Sequence, residues 1–266
     1  MRGWVRQFNP PALPADDLMV DASAYALSYG VQRTRSALAC WNERPWPMLA
    51  GWLAGSLAAA CVLLVGVLVV SAFVSTGGHI SLNKPPLRVG GVGDVVHIVL
   101  GNGRVLALHV FACVAGFMAG SSLPMRTREM QSGFQRFIHE RGARFAILFV
   151  VAAIAFSLSS QAWVIGSQTA KVAHRLDISP ALLLLTLLPH AIPELTALFL
   201  PLAAWIIASR RGDWDKLLAA ALVTAAIALP ILVLTALWEV YVAPHVIGLL
   251  VHVPRGMQFH LVIVRS

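Results

Sequence analysis

The chain reads as an all-α protein, a polytopic transmembrane helical bundle of about five spans behind an amphipathic N-terminal helix. Three observations carry this. The 266 residues are 58% hydrophobic and only 12% charged, whereas a soluble domain carries about 25% charged residues. The mean hydropathy is +0.75. The apolar runs are continuous, not alternating, which points to helices and away from a barrel.

Residues 1–47 are polar and precede the first run. Pro10, Pro11 and Pro14 end a tail, after which Asp16 or Asp17 can cap a helix. Val20, Ala24, Leu27, Val31, Leu38 and Trp41 then recur at steps of three and four, with Thr34 filling one gap. Such a stripe suits the membrane surface, a partner helix, or the protein's own cytoplasmic loops. No cleavable leader is expected here, because these residues hold no apolar h-region.

Five spans follow, at about Met48–Val74, Arg104–Leu123, Arg144–Ile165, Pro180–Ala208 and Leu217–Ala243. Each has about 20 or more largely apolar residues, enough for a hydrocarbon core of roughly 30 Å. The reading therefore divides the chain into a cytoplasmic helical segment 1–47, a transmembrane domain 48–243 and an external interfacial tail 244–266. Lys and Arg set the orientation. Thirteen of the 20 flank the side holding the N-terminus and the loops at 124–143 and 209–216, and seven flank the other. The N-terminus is thus expected in the cytoplasm and the C-terminus outside, in an inner (plasma) membrane. The formal net charge of +8 is read as this flanking bias, without a nucleic-acid partner.

Between spans one and two, Gly90-Gly91-Val92-Gly93-Asp94 faintly resembles a nucleotide loop. It lacks the Lys-Ser/Thr of a P-loop and the strand-turn-helix setting of a dinucleotide fingerprint, so a flexible turn is expected. Val95 to Leu100 then read as a short apolar helix at the outer surface. Cys40, Cys61 and Cys113 lack CxxC spacing and read as small hydrophobes.

The chemistry concentrates in Pro189-His190-Ala191-Ile192-Pro193-Glu194, in the middle of the fourth span. A carboxylate at the bilayer centre costs roughly 2.5–3.5 kcal/mol on insertion scales. His190 and Glu194 are four apart and share a helix face. Pro189 and Pro193 each remove a backbone donor, so the helix is expected to bend or break there. Glu239 is the second intramembrane acid, beside Trp238 and Tyr241. Measured from span ends at Ala243 and Pro180, Glu239 lies about 6 Å deep and His190 about 15 Å deep. On ideal helices the acids are not level, and a compact three-residue site requires a kink. His97, His109 and Gln161 are further polar candidates, each expected near a boundary or satisfied by a neighbouring helix.

An HExxH zincin spacing and a GxSxG elbow are both missing from the sequence. His190, Glu194, Glu239 and His245 can be arranged on paper as a metal set, but only one pair has defined spacing, so no catalytic residue, metal or cofactor is expected. Three classes stay open: a scaffold in which the pair organises helix packing and a partner groove, a transporter or permease subunit with a midplane His/Glu site, and an intramembrane enzyme.

Spans four and five resemble the stage II sporulation protein M family. The shared features are a Pro-His-Gly-x-x-Glu-like run opening a long apolar helix, a basic loop, and a helix ending Glu-x-x-x-x-Pro. They stand here as Pro189 to Leu195, Arg210-Arg211, and Glu239 to Pro244. Asn102-Gly103-Arg104-Val105 is similar to that family's Asn-Asn-x-Arg-Val junction. The chain departs at Ala191, where Gly is usual, at Pro193, an extra proline, and at Gly103. The resemblance covers about 65 residues well and implies a membrane scaffold. The founding member recruits cell-wall-degrading enzymes to the septal membrane of spore formers, and many relatives occur in bacteria that do not sporulate. Cell-wall hydrolases or other membrane proteins are therefore the implied partners, with His190, Glu194, Glu239, Pro189 and Pro193 organising the core.

Overall fold

The computed structural model describes residues 18–76, 90–118 and 133–250, and every element in them is helical. In order these are α1 (Leu18–Glu43), α2 (Pro45–Thr76), α3 (Val92–Phe117), α4 (Gly133–Leu176), α5 (Pro180–Arg211), α6 (Leu217–Leu237) and α7 (Ala243–Leu250). A short 3-10 turn, Trp214–Lys216, leads into α6, and a π-turn, Trp238–Val242, joins α6 to α7. Four helices among the described residues are long and apolar enough to cross a membrane: Pro45–Ser75, Val92–Phe117, Pro180–Arg211 and Trp214–Gly248. The expected third span, 144–165, is helical throughout within α4, and some of its side chains lie outside the described residues.

Two boundaries differ from the sequence reading. Span two does not begin at Arg104: α3 starts at Val92, so the short surface helix expected over 95–100 is the first part of this span. The Gly-rich turn supplies its start, with the Gly91 N–H donating to the Asp94 carboxylate at 2.8 Å. An acid already caps this N-terminus, which puts negative charge where a phosphate would have to sit. Span five does not end at Ala243 either, because the helical path continues through the π-turn to Leu250. Residues 251–266 of the expected tail lie outside the described residues.

The central element is α5, with 67% of its most apolar window buried against 28% for α2. Ser179 caps it by accepting from the Leu182 N–H at 3.2 Å, Pro180 occupies the first turn, and Gly212 closes it with φ +72°. Pro189, Pro193 and Pro201 all lie inside the helix, which is nonetheless assigned as one continuous element. The expected break at Pro193 is not observed. Neighbouring helices hold a proline-bearing span together by packing around it, and Leu198, Phe199 and Leu202 of α5 pack with Leu106 of α3 and Leu63 and Val67 of α2.

Contact pairs fix helix directions. Asn102, His109 and Cys113 of α3 meet Glu194, Leu198 and Pro201 of α5 in the same order, so α3 and α5 are parallel. Gly51 and Gly55 of α2 face Ile207 and Ala203, which makes α2 antiparallel to α5. Gly66 and Val70 of α2 face Ala162 and Gly166 of α4, so α2 and α4 are parallel. At Gly166 a Cβ would stand 2.7 Å from the Val70 Cβ and 2.9 Å from the Val67 carbonyl oxygen. Small residues allow such approach, and close van der Waals contact is what drives helix association in lipid.

The outward face of α2 presents Val62, Val65, Val69 and Phe73, each more than 60% exposed. An apolar face of that extent suits hydrocarbon and not water. At the opposite end, α1 lies across the tips of α3 and α6. A Cβ on Gly30 would lie 3.2 Å from Leu218 and 3.5 Å from Phe117, Trp41 stacks edge-on against Trp52, and Arg33 pairs with Asp215 at 3.6 Å. The packed face is thus Gly30, Ala37 and Trp41, with Val31 and Leu38 of the expected stripe exposed. Small residues let α1 sit close to the bundle. The side chains of Val20, Ala24 and Leu27 lie outside the described residues.

Candidate functional site

His190, Glu194 and Glu239 converge. One potential ligand atom from each lies within 4.8 Å of the other two. His190 and Glu194 are 5% and 4% exposed, and Glu239 is half-buried. The sequence reading had set the acids at different depths, and the reason for the error is a helix end. Trp214–Gly248 is the actual apolar path, so Glu239 lies nine residues from its end (248 minus 239). His190 lies ten residues into α5, which begins at Pro180. At 1.5 Å per residue both are about 14–15 Å deep. No kink of α5 is needed to bring them level.

The π-turn aims Glu239. The Ala243 N–H bonds to the Trp238 carbonyl, a five-residue step, and π-turns of this kind recur at functional sites. The wider turn keeps Val240, Ala243 and Ile247 buried while Glu239 reaches the α5 face.

A fourth residue joins from α3. The Asn102 side-chain amide donates to the Glu194 Oε1 at 2.8 Å, and Asn102 is 1% exposed. Asn102 is ten residues into α3 (102 minus 92), the same depth again. Asn102 is expected from the sequence at a junction before the second span, and the start of α3 at Val92 instead sets it inside the helix. The available signal was the spacing Asn102, Leu106, His109, Cys113, Phe117, one helix face at steps of four, three, four and four.

His190, Glu194 and Glu239 border a cavity of about 60 Å³ between α2, α4, α5 and the π-turn. Val67 of α2, Ile165 and Thr169 of α4, and Leu187 and Leu195 of α5 form much of its wall. No Lys or Arg is among its lining residues. Pockets for organic ligands run to roughly 300–1,000 Å³, so this space suits an ion or a few waters.

Of the other candidates, His109 is fully buried and its Nδ1 donates to the Leu198 carbonyl at 2.9 Å, beside the Phe199 ring. It is satisfied by a neighbouring helix on that nitrogen, as expected, and lies outside the cluster. The Cys113 thiol donates to the Pro201 carbonyl at 3.3 Å. Gln161 donates to Ser157 within α4. His97 is exposed, and His245 is exposed with its Nδ1 on the Tyr241 carbonyl, so neither joins the cluster. Pro189 and Pro193 frame the histidine and glutamate. Pro193 lines a second, apolar groove of about 420 Å³ on another side of α5, together with Leu53, Ala54, Leu57, Thr196 and Ala197.

No family model, no curated protein and no solved structure matches this chain. Among the described residues, fold and site together define a helical protein with four helices fit to span a membrane and a buried carboxylate–histidine centre at mid-depth.

Proposed function

We propose that this is a five-span integral membrane protein that acts by holding partner proteins in or beside the bilayer, with the His190–Glu194–Glu239–Asn102 centre as the core of its scaffold. The size of the polar cavity carries this reading. At about 60 Å³ it has no room for an organic substrate, while the side chains around Glu194 tie α3, α5 and the π-turn together at one depth. A transporter of organic solutes or an enzyme acting on lipid or peptide needs a larger chamber at its polar centre.

Helix direction supports a fifth span. Parallel α3 and α5 require the chain to return between them, and α4 runs parallel to α2. The alternation α2 out, α3 in, α4 out, α5 in, α6 out is consistent throughout. Basic flanks put the α1 side in the cytoplasm, and the resemblance to the stage II sporulation protein M family supports a bacterial cell membrane and envelope-remodelling partners. The 420 Å³ groove is the favoured seat for a partner's transmembrane helix. It is apolar, lies level with Pro193 in mid-membrane and contains the small residues Ala54 and Ala197, and small residues are what let helices approach in lipid.

The test is a photo-crosslinking amino acid at Leu57 in the groove and, as control, at Phe156, exposed on α4. A discrete protein adduct from Leu57 alone in native membranes, lost when Ala54 is replaced by Trp, supports the reading. Lipid adducts only, together with an ion flux in vesicles that Glu194→Gln abolishes, overturn it in favour of a transporter.

A further inference from the structure

We propose that His190, Glu194 and Glu239 bind a single divalent metal ion inside the membrane, zinc above the alkaline-earth ions, and that Asn102 fixes Glu194 for that purpose. Two carboxylates facing one cavity at mid-bilayer carry two negative charges when ionised, and no Lys or Arg lines the space. Buried charge in low dielectric must be neutralised. A dication with a neutral imidazole brings the sum to zero, whereas a monovalent ion leaves one charge over.

The donor set selects the metal. One imidazole nitrogen and two carboxylate oxygens suit zinc and its neighbours, while magnesium and calcium favour oxygen alone. Ligand atoms around a tetrahedral ion at about 2.1 Å stand about 3.4 Å apart. The three here lie within 4.8 Å of one another, so side-chain rotations of an ångström or so close the set. The cavity of about 60 Å³ leaves a fourth position for water, the Thr169 hydroxyl being nearby on its wall. Asn102 supplies what such sites generally have, a hydrogen bond to a ligating carboxylate that fixes its orientation. His190 and Glu194 come from one helix face and Glu239 from the π-turn, so the ion would bridge α5 to the α6–α7 path.

The inference is independent of partner binding. The full chain, purified in detergent with added zinc and dialysed, is expected to retain one zinc per chain by elemental analysis. Cobalt in place of zinc is expected to give visible absorption characteristic of a bound tetrahedral or five-coordinate ion. Glu239→Gln and His190→Asn should each lower zinc affinity at least tenfold, and Asn102→Ala by about 10–100-fold with the cobalt spectrum shifted. Because a variant can misfold, wild type carries its own test: zinc should raise its thermal midpoint and a chelator reverse this, with magnesium and calcium ineffective. Retention of less than a tenth of an equivalent of zinc by folded wild type, with no change in midpoint, overturns the proposal and leaves a proton shared between the carboxylates. Zinc that stays at wild-type affinity in the Glu239→Gln/His190→Asn double variant also overturns it.

Discussion

Glu194 has the most demanding position of any side chain in the described core: 4% exposed, an acid at mid-membrane, holding the amide of Asn102. Replacing Asn102 by Leu removes that bond and leaves the carboxyl short of a donor, which should cost about 1–3 kcal/mol, read as a lower unfolding free energy in detergent titration. Glu194→Gln keeps the shape and is expected to reduce assembled protein in membranes without altering any flux, measured by quantitative blotting beside a vesicle assay. The common helix face of His190 and Glu194 was legible in the sequence, because a four-residue step brings two side chains to one side. Asn102 was not legible as a partner. Its role depends on where α3 begins, and a Gly-rich stretch before an apolar run hid that start.

Among the elements, α6 and α7 show what a single irregular turn does. A strict α-helix advances 100° per residue, so from Glu239 to Ile247 it would turn about 80° beyond whole turns; the π-turn removes most of this and lets both face inward. Deleting Val242 is expected to restore α-helical bonding and keep Ile247 on the core face, because seven α-helical residues turn about 700°, within about 20° of two whole turns; a cysteine placed at Ile247 should stay unlabelled. The α2–α4 contact makes a second prediction. Gly166→Val forces bulk into a 2.7 Å gap against Val70 and should destabilise by about 1–3 kcal/mol, whereas Gly103→Val, with open space around it, should have a much smaller effect. The existence of the apolar helices was readable from run length, whereas the helical 133–143 and 244–250 were expected as loop and tail. Helix ends were not, since α3 and α7 extend through residues whose polarity suggested loops, and those ends decided whether the acids were level.

For the molecule as a whole, the helix directions make topology testable. Cysteines introduced at Asp177 and at Gly212 in a cysteine-free background should label from opposite sides, Asp177 in intact cells and Gly212 only after permeabilisation. Labelling of both from one side would contradict the proposed crossing of the membrane by α5. Membrane character and all-α class were legible from composition and from the continuous apolar runs. The order of packing around α5 was not, because in lipid every apolar face is equally satisfied by hydrocarbon and only small-residue contacts and buried polar bonds discriminate.

The α3–α5 seam has a mechanical consequence. Asn102 to Glu194, His109 to the Leu198 carbonyl and Cys113 to the Pro201 carbonyl act as three teeth on one rack. Sliding either helix by one turn, about 5.4 Å, would disengage all three at once within a medium that offers no substitute donors. The pair therefore moves as a single spar, and α1, which touches the bundle at few points near its end, is the element left with most freedom to shift against it.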